Sequence, residues 1–385
     1  MKDRLVEAAT QSPVIGVFGS RQSGKTTLVR EVFKEYHYFS LESPEIFEAI
    51  KSNPRAFIEE HKNSHGIIFD EFQHFPQLLS YIQLYVDEHQ RPGYFVLTGS
   101  QNFLMNQAIT QSLAGRIALF TLLPLSLAEL KLSGKEPETI SMALFKGCYP
   151  RMYMTDADPF RFYNDYIATY VERDVRVLQN VVNLSDFKRF MGLCAGRTGQ
   201  LLNIASLASD CGIDQRTAKE WLSVLEASYI IYLMPPYFRN NFGKRLMKTP
   251  KLYFYDTGLA CALLGIKAAE ELSTHYLRGG LFESLMITEL AKHFYNDRYT
   301  PPLYFWRDHH GNEIDCLVEM SGKVVPIEIK VGSALAGRAY AGFDYWRDIA
   351  GDQAANGFVI YGGLESFPHH EDRVIGWQSV DKIFK

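Results

Sequence analysis

Eight consecutive residues near the start of the chain have the types and spacing of a phosphate-binding loop. They fit the pattern G-x-x-x-x-G-K-[ST], between an apolar run at residues 14–18 and a segment typical of a helix start. Glycines let backbone N–H groups curl around a phosphate, and a helix N-terminus adds partial positive charge. We expect Lys25 to reach the β- and γ-phosphates and Thr26 to bind Mg²⁺. The residues predicted to bind ATP are Gly19, Ser20, Arg21, Gln22, Ser23, Gly24, Lys25, Thr26 and Thr27.

Further polar residues follow two apolar runs that we predict to be strands. The run at residues 66–70 ends in Asp70 and is followed by Glu71, and Ser100 comes after the run at 94–98. Because the carboxyl ends of parallel strands face bound phosphates, Asp70 would orient Mg²⁺ and Glu71 would polarise the attacking water. Ser100 would sense the γ-phosphate or that water. Solvated acids after a strand, and ordinary turn residues around Ser100, are the alternatives.

Arg116 lies in an apolar neighbourhood downstream of these runs. Such an arginine can neutralise the charge of a transferring phosphoryl group, often on the nucleotide of a neighbouring subunit. A long arginine stem also packs over apolar surface while its guanidinium stays in solvent. Both interpretations of Arg116 stay open, and the first predicts a homo-oligomer.

The elements that must position these residues follow from periodicity. Apolar runs alternate with helical patterns in the first part of the chain, which predicts an α/β fold with a parallel sheet. A polar stretch at 130–139 marks a boundary, so we expect domains at residues 1–135, 136–255 and 256–385. The middle part, 160–232, has helical spacing throughout. The end of the chain is predicted to hold a helix at 282–294 and strands at 303–306, 313–319, 324–329 and 358–361.

Composition excludes some classes of protein. The 385 residues carry a formal net charge of −4, so a nucleic-acid surface would have to be local. Five scattered cysteines without a C-x-x-C pair predict reduced thiols in the cytoplasm. No apolar run is long enough to predict a membrane span.

The middle of the chain carries a pattern typical of helix-turn-helix proteins. A short helix at 202–211, a glycine turn and a second helix at 215–229 follow one another. The acid-free stretch at 230–255, which includes Lys251, interleaves basic and aromatic residues that suit a phosphate backbone. A winged helix used only for packing, with solvated charges, is the alternative. The predicted nucleic-acid contacts are Arg216, Lys219, Arg239, Lys244, Arg245 and Lys248.

A second set of possible metal ligands lies near the end of the chain. Asp315 closes the segment N-E-I-D, and Glu328 and Lys330 form an E-x-K string on the next predicted strand, an arrangement that resembles PD-(D/E)XK nucleases. Strand alternation places Glu328 and Lys330 on one face. The two carboxylates would hold Mg²⁺, Glu283 would be an outer ligand, and Lys330 would help deprotonate water. A retained endonuclease-like fold used for binding or assembly is the alternative.

The order of these motifs resembles a widespread prokaryotic family in which an AAA-type P-loop ATPase domain precedes a C-terminal domain of unknown function. The resemblance extends over nearly the whole chain. It implies an ATPase core, a winged-helix-like middle and a restriction-endonuclease-like end. The segments that carry it beyond the phosphate loop are GCYPR at 147–151, YVERDV at 170–175, KTPKLYFYDTGL at 248–259, PPLYFWR at 301–307 and IEIK at 327–330.

These patterns lead to one main hypothesis. The chain is predicted to hydrolyse ATP with Mg²⁺, and its nucleotide state to drive or gate a C-terminal half that binds nucleic acid, with DNA as the expected partner. One alternative is an ATP-regulated, Mg²⁺-dependent nuclease. The other is a nucleotide-switched scaffold that contacts only protein.

Overall fold

The computed structural model of the chain describes residues 1–100, 112–170, 183–237, 249–308, 310–335 and 337–384. Two compact units share the chain, and each is built from several segments. The first unit comprises Met1–Pro124, Ala227–Tyr229 and Phe294–Thr300. The second comprises Leu125–Glu226, Ile230–His293 and Pro301–Lys385, which includes most of both predicted C-terminal domains. The division of those two from each other stays a prediction.

The first unit is organised around a parallel sheet with strand order β2-β3-β4-β1-β5. Its inner strands are continuous apolar runs, and every residue of β1 and β3 is buried, as expected for a sheet covered on both faces. The strands are β1 (Val14–Gly19), β2 (His37–Ser40), β3 (Ile67–Asp70), β4 (Phe95–Ser100) and β5 (Ile117–Thr121). The helices are α1 (Lys2–Ala9), α2 (Lys25–Val32), α3 (Pro44–Ser52), α4 (Pro54–Glu60) and α5 (Leu78–His89).

Alternate residues of the strands feed two cores, one on each face of this sheet. Val14 and Phe18 of β1 pack in a cluster that also contains Ile82 of α5. Ile15 of β1 packs on the other face with Val29 of α2. The layered arrangement confirms the predicted α/β class, and it brings the carboxyl ends of β1, β3 and β4 to one edge of the sheet.

The second unit begins with helices and a small antiparallel sheet of order β6-β8-β7. The first helices are α6 (Leu127–Leu132), α7 (Ile140–Lys146), α8 (Arg151–Met154) and α9 (Pro159–Tyr170). The next elements are α10 (Leu184–Ala195), β6 (Gln200–Leu201), α11 (Ile204–Cys211), α12 (Gln215–Ala227), β7 (Ile231–Met234) and β8 (Lys251–Phe254). The predicted run of helices over 160–232 is therefore wrong at β6 and β7, where short strands close the small sheet.

A mixed six-stranded sheet of order β13-β14-β12-β11-β10-β9 completes the second unit. Its strands are β9 (Leu303–Arg307), β10 (Glu313–Met320), β11 (Lys323–Lys330), β12 (Phe358–Tyr361), β13 (Phe367–His369) and β14 (Asp372–Gly376). The accompanying helices are α13 (Thr257–Leu263), α14 (Arg278–Asn296) and α15 (Ala341–Ala350). Of the helices in the described ranges, none combines the length and apolarity needed to cross a bilayer.

Two of the sequence segments that carry the family resemblance meet in the interior of this unit. The carboxylate of Asp256 accepts hydrogen bonds from the backbone N–H of Cys148 at 2.6 Å and of Leu259 at 3.0 Å. The second contact caps α13, because an aspartate before a helix satisfies a free N–H group. A side chain at Gly147 would collide with Asp256, since its Cβ would lie 2.4 Å from Oδ1. These segments therefore hold the helical part of the unit together.

Candidate functional site

The phosphate loop connects the end of β1 to the start of α2 through a backbone that only glycine allows at its first position. Gly19 has a φ of +145°, and a Cβ there would lie 2.0 Å from the carbonyl oxygen of Leu122. Leu122 itself donates its N–H to Phe18 at 2.6 Å. Gly24, at a φ of +97°, turns the chain into α2. The loop is thus packed directly against the residues that follow β5.

Inside the loop, polar groups converge where a phosphate would bind. The Lys25 ammonium is almost fully buried and donates to the carbonyl oxygens of Ser20 at 2.7 Å and Gly19 at 3.2 Å. Ser23 donates its hydroxyl to the Ser20 carbonyl at 2.9 Å. The hydroxyl of Ser20 is buried and has no hydrogen-bond partner among the described residues. A phosphate oxygen would satisfy these donors, so the residues present fit the predicted nucleotide.

Asp70 lies at the end of β3 and is held by neutral hydroxyl groups. Thr26 donates to its two carboxylate oxygens at 3.0 and 3.1 Å, and Tyr38 donates at 2.6 Å. Thr98 of β4 donates to the same carboxylate. Burial, followed by the hydrogen bond to Asp70, raises the pKa of Tyr38, which keeps its hydroxyl a donor. The adjacent Thr26 hydroxyl and Asp70 carboxylate are the oxygen ligands that Mg²⁺ prefers.

Glu71, Gln73 and Ser100 form a second group of contacts at this edge. Glu71 has left-handed backbone angles, with φ +54° and ψ +43°, which a residue with a side chain adopts at a cost of about 1–2 kcal/mol. The amide nitrogen Nε2 of Gln73 donates to Glu71 Oε2 and to Ser100 Oγ, the latter at 3.2 Å. The structure therefore brings the predicted Glu71 and Ser100 together through Gln73, which the sequence interpretation did not single out.

Arg116 lies at the opposite edge of the same sheet. It precedes β5, and its carbonyl accepts from the N–H of Val14, the first residue of β1, at 3.1 Å. Its guanidinium forms two bonds with Asp87 of α5, at 2.6 and 3.0 Å. Five residues of β1 separate this edge from Gly19, a length of about 16 Å. Arg116 is thus not placed to contact a nucleotide in its own phosphate loop, and a role on a neighbouring subunit stays a prediction.

The predicted nucleic-acid residues fall into two groups. Arg216 and Lys219 are exposed on the first turns of α12, and the Arg216 guanidinium is 3.0 Å from Glu220. Asp214 caps α12 by accepting from the N–H of Thr217 at 2.9 Å. The remaining four, Arg239, Lys244, Arg245 and Lys248, lie outside the described residues.

Lys251 is not part of a solvated basic surface. Its ammonium is buried between carboxylates, 2.5 Å from Glu313 and 3.1 Å from Glu283. Burial alone would lower the pKa of Lys251, but the surrounding carboxylates raise it. Tyr253 also donates to Glu283 at 2.5 Å. The expectation that Lys251 belongs to a phosphate-binding stretch is therefore wrong, because β8 directs it into the interior of the second unit.

Asp315, Glu328 and Lys330 are brought together on β10 and β11, as predicted. The Lys330 ammonium is 3.0 Å from Asp315 and 2.5 Å from Glu328. Burial and the neighbouring Asp315 raise the pKa of Glu328 to about 8. Burial opposes ionisation of Asp315 as well, but Lys330 and Lys251 lower its pKa. Burial likewise raises the pKa of Glu283 to about 7.

We call these side chains the acid–lysine cluster: Glu283, Glu313, Asp315, Glu328, Lys251 and Lys330. Each acid in it contacts a lysine ammonium. Across the ranges that the structure describes, no group of three or more His, Cys, Asp and Glu side chains is arranged to hold a metal ion. Glu283 is thus tied to Lys251 and Tyr253, and its predicted place as an outer metal ligand gains no support.

The fold and the phosphate-loop edge define an AAA-type P-loop ATPase architecture. The chain matches the model of an AAA domain over residues 11–131, and two domains of unknown function, DUF8612 over 137–270 and DUF4143 over 278–380. It is 30% identical over 331 residues to the uncharacterized proteins Rv2008c of Mycobacterium tuberculosis and Mb2031c of Mycobacterium bovis, covering 85% of this chain and 72% of each relative. The chain belongs to a prokaryotic family that joins an AAA-type ATPase domain to a C-terminal domain of unknown function.

Solved structures resemble parts of the chain at low identity. The Walker-type ATPase PABY2304 of Pyrococcus abyssi is 16% identical, with a TM-score of 0.43, over 68% of this chain and 94% of its own. The RuvB Holliday junction branch migration motor of Thermotoga maritima is 15% identical, with a TM-score of 0.32, over 61% of this chain and 88% of its own.

Proposed function

We propose that the chain hydrolyses ATP at the phosphate-loop edge of the first unit. The observation that carries this proposal is the pairing of Thr26 with Asp70, 3.0–3.1 Å apart, beside the buried ammonium of Lys25. A hydroxyl and a carboxylate at the end of adjacent elements supply Mg²⁺ ligands, and the lysine supplies the phosphate cation. Bound Mg²⁺ would neutralise charge on the β- and γ-phosphate oxygens.

The neighbouring side chains have distinct roles in this proposal. Glu71 accepts a hydrogen bond from the attacking water and polarises it, because it follows the Mg²⁺-binding Asp70 directly. Ser100 ends β4 beside Gly19, the residue with which it is in register. Its hydroxyl would therefore lie close to the γ-phosphate, where it can respond to hydrolysis.

Turnover of ATP by the purified full chain tests the proposal. Glu71→Gln should bind ATP like the parent but hydrolyse it about 10²-fold more slowly or worse, because only the water-polarising group is lost. Glu60→Gln is the matched control, since Glu60 is exposed on α4. Parent-like turnover by Glu71→Gln would remove Glu71 from the mechanism. Absence of Mg²⁺-dependent turnover in the parent would remove the proposal itself.

We further propose that the nucleotide state gates DNA binding by the second unit in a homo-oligomer. The support is the succession β6, α11, α12, β7 and β8, which has the order of a winged helix, with Arg216 and Lys219 exposed on α12. ATP turnover should rise with single-stranded, duplex or branched DNA. A chain that binds no DNA at low salt, in any nucleotide state, would favour the protein-scaffold alternative.

Nuclease activity is a second candidate, favoured by one observation. Asp315, Glu328 and Lys330 converge on neighbouring strands at contact distances of 2.5–3.0 Å. If these residues cut a phosphodiester bond, cleavage should need Mg²⁺ or Mn²⁺ and should be lost in Glu328→Ala and Lys330→Ala alike. Equal cleavage by the parent and both variants would identify a contaminating nuclease.

A further inference from the structure

Gln73 lies between the two groups that the proposed hydrolysis depends on. It belongs to a single turn of 3₁₀ helix, Phe72–His74, that directly follows Glu71. Its Nε2 donates to Glu71 Oε2 and to Ser100 Oγ. One amide group thus connects the end of β3 to the end of β4.

The other end of the same amide is placed by a close backbone approach. A Cβ at Gly99 would lie 2.2 Å from Gln73 Oε1, so the absence of a side chain at Gly99 lets the amide lie against the backbone there. Oε1 is buried and accepts no hydrogen bond from the described residues. Rotating the amide by half a turn would aim this acceptor at the Glu71 carboxylate, which repels it. Repulsion therefore favours the observed orientation, in which Nε2 faces Glu71 and Oε1 stays beside Gly99 without a partner among the described residues.

A carboxylate that polarises water needs a fixed orientation. The backbone of Glu71 is in the left-handed region, at a φ of +54°, and the described residues give its side chain one partner, Gln73. Holding Oε2 through Nε2 leaves Oε1 of Glu71 to accept from a water. Small displacements of a reacting group are expensive, since about 1 Å can reduce turnover about 10²-fold.

We propose that Gln73 is a positioning residue for ATP hydrolysis, which orients the Glu71 carboxylate and links it to Ser100. The inference rests on the proposed role of Glu71. Gln73 lies outside the phosphate loop and is not one of the acids at the strand ends. It acts through Glu71 rather than on the nucleotide.

The test uses substitutions of nearly constant shape in the full chain. Gln73→Met keeps the length but removes the donor, and Gln73→Glu places a carboxylate against a carboxylate. We expect turnover to fall about 10-fold to 100-fold in Gln73→Met, and further in Gln73→Glu, at unchanged ATP affinity. Gln77→Leu is the control, because Gln77 is only four residues from Gln73 in sequence and its side chain is exposed. A packing role would tolerate Met, and parent-like turnover of Gln73→Met would overturn the proposal.

A double variant separates this inference from the proposal on which it rests. If Gln73 acts through Glu71, adding Gln73→Met to Glu71→Gln should cause no further loss, since the two residues work as a unit. Additive losses would show that Gln73 acts independently and would overturn the inference. So would a Gln73→Met variant that turns over faster than the parent, because Gln73 would then restrain Glu71. Parent-like turnover by Glu71→Gln alone would instead overturn the role of Glu71.

Discussion

The phosphate-loop edge of the first unit and the acid–lysine cluster of the second unit both contain lysine and carboxylate side chains, but the partners of the carboxylates differ. Asp70 accepts from three neutral hydroxyls, and the Lys25 ammonium donates to backbone carbonyls. In the cluster, Lys330 contacts two carboxylates and Lys251 contacts two more. The Asp70 carboxylate, held by neutral hydroxyl groups, is thus available to a bound cation, whereas each acid of the cluster already contacts a lysine ammonium.

This difference in partners indicates a ligand-binding site at the phosphate-loop edge and a structural network of charges in the acid–lysine cluster. Ser20 Oγ and Gln73 Oε1 are buried without partners among the described residues, and both lie at the phosphate-loop edge. Buried polar atoms are normally satisfied, so unmet ones point to a ligand or a water. A cluster whose acids are already bonded to lysines has less to gain from a cation. The comparison therefore favours chemistry at the phosphate-loop edge and a structural role for the acid–lysine cluster.

Removing one lysine from each region gives the largest expected effect. Lys25→Ala should abolish tight ATP binding and lower turnover about 10³-fold, because the β- and γ-phosphates lose the ammonium that is expected to reach them, while the melting temperature stays near that of the parent. Lys330→Ala should leave ATP turnover unchanged and lower the melting temperature, because buried carboxylates lose their partner. Lys34→Ala, at an exposed position on the first unit, is the control. A stable but nuclease-dead Lys330→Ala would break the comparison.

Substituting Arg116 tests whether a charged residue that is paired within the chain, here with Asp87, can also act in catalysis. Its route to a nucleotide, given its place at the far edge of the sheet, is through a neighbouring subunit. Arg116→Ala should then lose about 10³-fold in turnover. Mixing it with Lys25→Ala should restore part of the activity, because one subunit supplies the arginine and the other an intact loop. No recovery at any ratio, with assembly shown by light scattering, would leave Arg116 as a partner of Asp87 only.

The phosphate loop and seven of the strands could be predicted because their signals are local; these strands are β1, β3, β4, β9, β10, β11 and β12. Predicted runs at 66–70 and 313–319 correspond to β3 (Ile67–Asp70) and β10 (Glu313–Met320) within a residue or two. A buried parallel strand is a continuous apolar run, and the loop pattern needs only its flanking strand and helix. The two-residue strand β6 gave no such signal. The run at β7 (Ile231–Met234) is apolar, but it follows α12 so closely that the predicted helical pattern includes it.

The residues that sequence interpretation missed or misplaced depend on contacts between distant segments. Lys251 belongs to a stretch without acids, but Glu283 and Glu313 reach it from α14 and β10. Gln73 is a glutamine in a turn, and its role becomes visible only when β4 places Ser100 beside it. The one local signal was its position two residues after Glu71. Charge patterns along the chain therefore identify candidate ligands, but their partners come from tertiary packing.

A smaller effect should appear in how stability depends on pH. The pKa of Glu328 is raised from 4.5 to about 8, so the folded state keeps a proton that the unfolded chain has released between those values. Because the folded state binds more protons there, stability falls as pH rises through that window. The variant Glu328→Gln should not lose stability in this way, because glutamine does not titrate.

The melting temperature of Glu328→Gln should therefore exceed that of the parent by a few degrees at pH 8 and by less at pH 5. A change of about 1 kcal/mol in the free energy of unfolding corresponds to roughly 2–4 °C for a domain of this size. Scanning calorimetry measures the difference. Glu365→Gln, an exposed control in the same unit, should follow the parent at every pH. A constant offset for Glu328→Gln would mean that Glu328 stays ionised in the folded cluster.

The smallest expected effect concerns Lys244 and Arg245, which lie between β7 and β8 in sequence and outside the described residues. If they contact DNA phosphates, each releases counterions and adds roughly −0.9 to the slope of log affinity against log salt. Replacing both by Ala should flatten that slope by about 2, similarly for unrelated duplex sequences, because backbone contacts carry no base information. ATP affinity should not change.

A salt titration by fluorescence anisotropy on one duplex measures this slope. The control is the double variant Lys34→Ala and Lys51→Ala, which removes the same charge from exposed positions of the first unit. If both double variants flatten the slope equally, overall charge rather than this segment governs binding. An unchanged slope in Lys244→Ala/Arg245→Ala would mean that these residues do not touch phosphate. Together with the burial of Lys251 among carboxylates, that result would argue against DNA binding by the acid-free stretch at 230–255. It would favour a protein partner for the second unit.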